Sequence, residues 1–166
     1  MIGSSCSGKT TLAARLAAAL GVAHVELDAL HHGPNWQEAS AEELRVRVEV
    51  ELDGLDGWVT DGNYMGKLGM WLIDQADTIV WLDPPLRTLL PRIYRRTRQR
   101  RRDRVELWNP GNFETWRGWW TLSSFAMRTH HRRRRYWPRR FEGRRVVRLR
   151  SSVEADTWFA ERIRSG

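Results

Sequence analysis

Gly3-Ser4-Ser5-Cys6-Ser7-Gly8-Lys9-Thr10 matches the pattern G-x-x-x-x-G-K-[ST] at every fixed position. Residues of these types at this spacing bind phosphate. The amides of a glycine-rich turn cradle the anion, the lysine reaches the β- and γ-phosphates, and the hydroxyl holds Mg²⁺. Gly3 and Gly8 let the backbone wrap an anion without a Cβ in the way. Thr10 and Thr11 open a helical run in which Leu12, Leu16 and Leu20 recur at helical spacing before Gly21 stops it. Bound phosphate then lies at the positive end of a helix. Residues 3–11 (Gly3, Ser4, Ser5, Cys6, Ser7, Gly8, Lys9, Thr10 and Thr11) are the nucleotide-binding candidates, with Thr10 as the Mg²⁺ ligand.

Such a loop hangs from the end of a buried strand, yet only Met1 and Ile2 precede Gly3. A strand usually needs about five residues. The first strand is therefore expected to be truncated: either natural residues are missing ahead of Met1, the favoured expectation, or the strand is a stub.

Two acids follow at expected strand ends. Val22 to Leu27 reads as a short buried strand ending in Asp28, and Trp58-Val59-Thr60 as another running into Asp61-Gly62-Asn63-Tyr64. A strand this soon after a helix gives a βαβ pattern and a parallel sheet, whose ligands bind beyond the C-terminal strand ends. Asp28 and Asp61 are candidates to contact the acceptor or to hold metal-bound water, with Gly62, Asn63 and Tyr64 beside them. Asp28 is thus the second metal candidate. The adjacent His31 and His32 invite a metal reading, but sequence neighbours seldom face one ion. Ser40-Ala41-Glu42-Glu43 is a capping box opening a helix over about 41–53. Thr78 to Leu82 is the clearest strand, closed by Asp83-Pro84-Pro85.

The net charge of +8 is divided unevenly. Residues 1–85 carry −8 and residues 151–166 carry −1, whereas residues 86–150 hold 21 arginines against four acids. Glu106 to Glu114 is a Gly/Pro-bearing loop between two arginine-rich helical stretches, the composition of a mobile lid. Arg92, Arg96 and Arg101 are the best candidates to neutralise a transferring phosphoryl group. The ten tryptophans lie mostly at apolar-face positions, where core packing is expected. One cysteine excludes an internal disulfide and a cysteine zinc cluster. No apolar run approaches the roughly 20 residues of a membrane span, and no signal peptide precedes the loop. A cytoplasmic protein with no membrane partner is expected.

The phosphate loop, the Asp28 strand end, Trp58 to Tyr64, Trp81-Leu82-Asp83 and Glu106-Leu107-Trp108-Asn109 together resemble the adenylate-kinase-like P-loop proteins. Within them the chain is similar to the bacterial set labelled DNA topology modulation proteins. The resemblance implies a three-layer α/β P-loop NTPase fold. Its sheet would be parallel and five-stranded, in the order 2-3-1-4-5, with ATP and Mg²⁺ as ligands and a helical lid insertion carrying arginines. It implies one domain over residues 1–166, with about 29–57 as an acceptor-binding helical segment and about 95–135 as the lid. Asp61-Gly62 is similar to the strand-end Asp-Gly of adenylate kinase, and Asp28 takes the place of the strand-end acid in shikimate-kinase-like enzymes. Asn63-Tyr64 departs from the Phe-Pro-Arg of adenylate kinase, which argues against AMP as acceptor. The leading expectation is an ATP-dependent phosphotransferase acting on a nucleoside, a nucleotide or another small hydroxyl compound. Lys9, Asp61, Arg92, Arg96 and Arg101 are its catalytic candidates. The alternatives are a nucleic-acid-binding ATPase, drawing on the basic segment with Trp116, Trp119, Trp120, Tyr136 and Trp137, and a non-catalytic nucleotide-binding regulator. The oligomeric state is open.

Overall fold

A computed structural model describes residues 1–164. Strand β4 (Ile79–Leu82) runs through the middle of a parallel three-stranded sheet, flanked by β1 (Ile2–Gly3) and β5 (Val146–Leu149). Ile2 pairs with Trp81, and Ile79 pairs with Val146. A second parallel pair joins β2 (Ala23–Glu26) to β3 (Trp58–Asp61), in a register that sets Glu26 beside Asp61. All four residues of β4 are buried, as a strand covered on both faces requires. Successive side chains alternate between the faces. Ile79 and Trp81 pack with Trp137 of α7 (Trp116–Arg140) and with Phe141, which caps it. Val80 and Leu82 pack with Leu12 of α1 (Lys9–Leu20) and with Trp158 and Phe159 of α8 (Ser152–Arg164). Helices thus cover both faces.

The ladders form two sheets rather than the expected single sheet of five strands. The cause lies in β1, which offers only two ladder residues. Toward β3 and the residues just past it, the Met1 amino nitrogen donates to Thr60 O, Gly62 N donates to Met1 O at 3.2 Å, and the Asn63 side chain bonds Gly3. Beside them a groove of about 380 Å³ opens, lined by Trp58 and Val59 of β3 and by Ile79 and Val80 of β4.

Beyond β2 the chain forms α2 (Leu27–His31), a 3₁₀ turn at Pro34–Trp36 and α3 (Ala41–Leu52). The capping box forms as expected: Glu43 N donates to Ser40 Oγ at 3.1 Å, and Ser40 N donates to the Glu43 carboxylate at 2.8 Å. Leu44 and Val48 of α3 join Leu27, Leu68 and Leu72 in a separate core, the last two carried by the short helices α4 (Met65–Leu68) and α5 (Trp71–Asp74). Helix α6 (Leu86–Arg102) packs against α7, and residues 103–115 join them. Buried Asp83 pins α7 at the end of β4, because Arg134 Nε donates to both carboxylate oxygens at 2.9 Å and Arg148 Nε to Oδ2 at 2.9 Å.

The expectation that the tryptophans mostly serve core packing holds in part: Trp58, Trp71 and Trp158 pack against the core clusters. Trp81 and Trp137 are buried, whereas Trp108, Trp116 and Trp120 are exposed. Helices α6 and α7 bury only the stripe they turn toward each other and the sheet. Trp116 instead stacks on Tyr94 and lies under the Arg101 guanidinium. Among the described residues, no helix is long and apolar enough to cross a membrane.

Candidate active site

The phosphate loop turns from β1 into α1 through backbone conformations that demand its glycines. Gly3 has φ +149°, and a Cβ there would stand 2.3 Å from Leu82 O. Gly8, at φ +98°, caps α1 without a side chain, and Cys6 is left-handed at φ +59°. Among the described residues, the amides of Ser5, Cys6, Gly8, Lys9 and Thr10 find no backbone acceptor. Amides left open around one loop and the first turn of a helix are a ready site for an anion. The buried Ser7 hydroxyl also has no partner. Asn63 braces the loop from behind: it accepts from Gly3 N at 3.0 Å and donates to Gly3 O.

Lys9 folds over the loop, its Nζ donating to Ser4 O at 3.2 Å. Burial lowers its pKa, and the charges of Asp28 and Asp61 oppose that shift. An ammonium desolvated this way gains from an arriving anion. Arg133, reaching in from α7, donates to Ser4 Oγ at 3.1 Å, and burial lowers its pKa too.

Asp61 stands at the end of β3, only 3% exposed. Its Oδ2 accepts from Thr10 Oγ1 at 2.6 Å, and its Oδ1 lies 3.0 Å from His24 Nε2. Both oxygens are therefore engaged and the group is set behind Thr10. Asp28 lies in the first turn of α2 and lines the open cleft. Tyr64 OH donates to its Oδ1 at 2.6 Å, and no partner among the described residues takes Oδ2. Burial and the nearby carboxylates push the Tyr64 phenol well above its ordinary pKa, so it stays protonated and donating. This separates the two acids: Asp28 is open to a ligand hydroxyl, whereas Asp61 serves Thr10. Gly62, Asn63 and Tyr64, expected at the acceptor, do not line this cleft. They support it from behind, Asn63 through the loop and Tyr64 through Asp28.

The cleft encloses about 990 Å³ between the phosphate loop and the α6–α7 pair. Arg92, Arg96 and Arg100 line it from one face of α6, four residues apart, and Arg117 from the start of α7. Arg101 is not among the lining residues. One position past Arg100 turns a side chain through about 100° on a helix, and Arg101 lies 4.7 Å over the Trp116 ring instead. Glu114 gathers the arginines: Arg100 Nη1 is 2.7 Å and Arg96 Nη2 3.3 Å from Oε1. Its Oε2 and Arg96 Nε are buried without a partner. Cys6 borders the cluster, and burial raises its thiol pKa, so it stays protonated.

The loop between α6 and α7 is strapped across the cleft onto residues 32–36. Asn35 N donates to Pro110 O at 2.9 Å, and Asn109 Nδ2 donates to His32 O at 2.6 Å. Asn112, fully buried, accepts from Trp36 N at 2.5 Å and donates to Gly33 O at 3.1 Å. Asn112, Glu114, Arg133 and His24 were not singled out by sequence. Each acts through a contact between distant parts of the chain, and no local pattern marks such a contact.

No protein-family model matches this chain, and no curated protein is similar to it.

Proposed function

We propose that the protein is an ATP-dependent phosphotransferase of the adenylate-kinase-like P-loop group that phosphorylates a hydroxyl on a small acceptor. The observation that carries this reading is the ring of open amides around half-buried Lys9, backed by the Thr10–Asp61 hydrogen bond. The Met1 contacts to Thr60 and Gly62 support reading the two sheets as one, in the order 2-3-1-4-5.

On this reading the loop amides and Lys9 bind the β- and γ-phosphates. Thr10 and, behind it, Asp61 suit Mg²⁺, a hard cation that takes oxygen ligands and keeps much of its shell from water and phosphate. No group of three or more His, Cys, Asp or Glu residues among the described residues forms a metal cage of its own. Bound there, the ion supplies charge neutralisation at the phosphates. Asp28 Oδ2 accepts the acceptor's hydroxyl proton. The hydroxyl oxygen bonds to the γ-phosphorus as the bond to the bridging oxygen breaks, giving ADP and a phosphate ester. Arg92, Arg96 and Arg100 neutralise the charge spread over the transferring group, where one arginine is worth about 10³–10⁵ in rate.

The test is ADP release across a panel of nucleosides, nucleotides and small alcohols, with Lys9→Ala as control. Turnover that needs one acceptor and disappears in Lys9→Ala supports the reading; turnover unchanged by Lys9→Ala overturns it. The exposed Trp116, Trp120 and Tyr136 among the arginines of α7 favour a second reading, a nucleic-acid-binding ATPase. Single-strand binding that weakens steeply with salt would support it.

A further inference from the structure

We infer that the acceptor is a nucleoside, a flat ring carrying a hydroxyl and no phosphate of its own. The inference rests on the phosphotransferase reading and sharpens it. Its basis is the unequal distribution of charge along one cleft. Arg96 and Arg100 act electrostatically on Cys6 of the phosphate loop, Arg133 bonds Ser4, and Arg92 shares the α6 face of Arg96 and Arg100. Arg117 enters the chain three residues after Glu114, the carboxylate that gathers that cluster. These cations belong with the donor's phosphates.

Around His32 the cleft is acidic and aromatic: the charges that act on this ring are those of Asp28, Glu38 and Lys67, with no arginine among them. Asp28 and Glu38 line it. The nearby Lys67 is occupied, its Nζ 3.3 Å from Glu38 Oε2 and donating to Ala39 O at 2.6 Å. Burial lowers the pKa of His31 and of His32, so neither imidazole supplies a cation at neutral pH. Among the described residues, a phosphate on the acceptor beside His32 would therefore face two carboxylates and a lysine already engaged. The arginine fork that suits a phosphate is not among the groups acting on His32.

What this end does offer is ring surface. The His32 and Trp108 rings are stacked at 5.6 Å and 21°, and Trp36 meets both edge-on, at 5.3 Å and 6.0 Å. His32 and Trp36 sit on one side of the strap and Trp108 on the other, so the hydrogen bonds of Asn109 and Asn112 hold the three rings together. His32 Nδ1 is buried with no partner. A base stacks on such rings whatever its identity, because every base has a π-face. The sugar hydroxyl then meets Asp28 Oδ2, whose charge acts on Lys9 and hence lies close to the phosphate loop. The hydroxyl proton passes to Asp28, its oxygen bonds to the γ-phosphorus, and ADP leaves with the bridging oxygen.

The experiment has two arms on the full chain. Calorimetry with Mg·ATP comes first. If ATP does not bind, the phosphotransferase reading fails, and this inference with it. If ATP binds, adenosine, guanosine, cytidine and thymidine are compared with their 5′-monophosphates, reading ADP release and quenching of tryptophan fluorescence. At least one nucleoside should turn over with kcat/KM at least tenfold above its monophosphate. Trp108→Ala should raise the nucleoside KM by about tenfold or more, the scale of one lost base–aromatic stack, with ATP affinity unchanged. Trp108→Phe should restore most of it. Monophosphates preferred over nucleosides, no nucleoside turnover, or a nucleoside KM untouched by Trp108→Ala would each overturn the inference while leaving ATP binding standing.

Discussion

Replacing Asn112 with alanine should loosen the strap over the cleft without unfolding the protein. Asn112 has no exposed surface, and its amide satisfies two backbone groups 76 and 79 residues away in sequence, Trp36 N and Gly33 O. Truncation leaves both without their partner. A buried group left unsatisfied costs about 1–3 kcal/mol, so the pair sets an upper end near 6 kcal/mol. Trp36 is half-buried and its loop borders the open cleft, so water recovers part of that loss. A local cost of about 2 kcal/mol follows, equivalent to roughly 30-fold faster opening at 1.36 kcal/mol per factor of ten. Hydrogen exchange read at the Trp36 amide is the direct assay, because local opening is reported residue by residue. Amides in β4 should be unaffected. Acceleration below about threefold at Trp36 would show that Asn112 does not hold the strap. Equal acceleration throughout the chain would show that the strap opens only with global unfolding.

Gly3→Ala should destabilise the fold and weaken nucleotide binding together. A Cβ 2.3 Å from Leu82 O at φ +149° combines backbone strain of about 1–3 kcal/mol with a steric clash of similar size; urea denaturation with an unchanged midpoint would contradict this. Asp61→Asn removes the charge that orders the Thr10 hydroxyl and should slow turnover far more than it weakens ATP binding. Equal losses in kcat and ATP affinity would reduce Asp61 to a structural role. Stability should fall as pH drops from 7.5 to 5.5. Burial lowers the pKa of His31, His32 and His130 below the ordinary 6.5, so the unfolded chain binds more protons in that window and the folded state is favoured above it. A urea midpoint equal or higher at pH 5.5 would contradict the sign.

The parts of this molecule legible in its sequence are those whose chemistry dictates residue identity at fixed spacing. Gly3, Gly8, Lys9 and Thr10 are legible because an anion-wrapping turn tolerates few other residues. Ser40 and Glu43 are legible because a capping box is local. The Asp61 strand end was legible as a position, but its task was not. The hydrogen bonds that turn it toward Thr10 and His24 span 51 and 37 residues. Asn63 likewise looked like an acceptor contact because it follows Asp61-Gly62, and its bond to Gly3 crosses 60 residues. Among the arginines composition is uninformative, since neighbours on α6 are identical and only rotation about the helix separates Arg100 from Arg101. Helical spacing from Arg92 selects Arg96 and Arg100, and that signal was available in the sequence. The exposed Trp116 and Trp120 could not be told from core residues by type, because their exposure follows from how α7 stands on the sheet, and Trp108 lies in the loop between α6 and α7.

The most direct measurement is calorimetric titration of the full chain with Mg·ATP, alongside Lys9→Ala. Saturable one-to-one binding by the natural chain, lost or weakened at least a hundredfold in the variant, is the expected result. Absence of binding to ATP, ADP and GTP in the presence of magnesium would contradict the assignment of residues 3–11 as a triphosphate cradle.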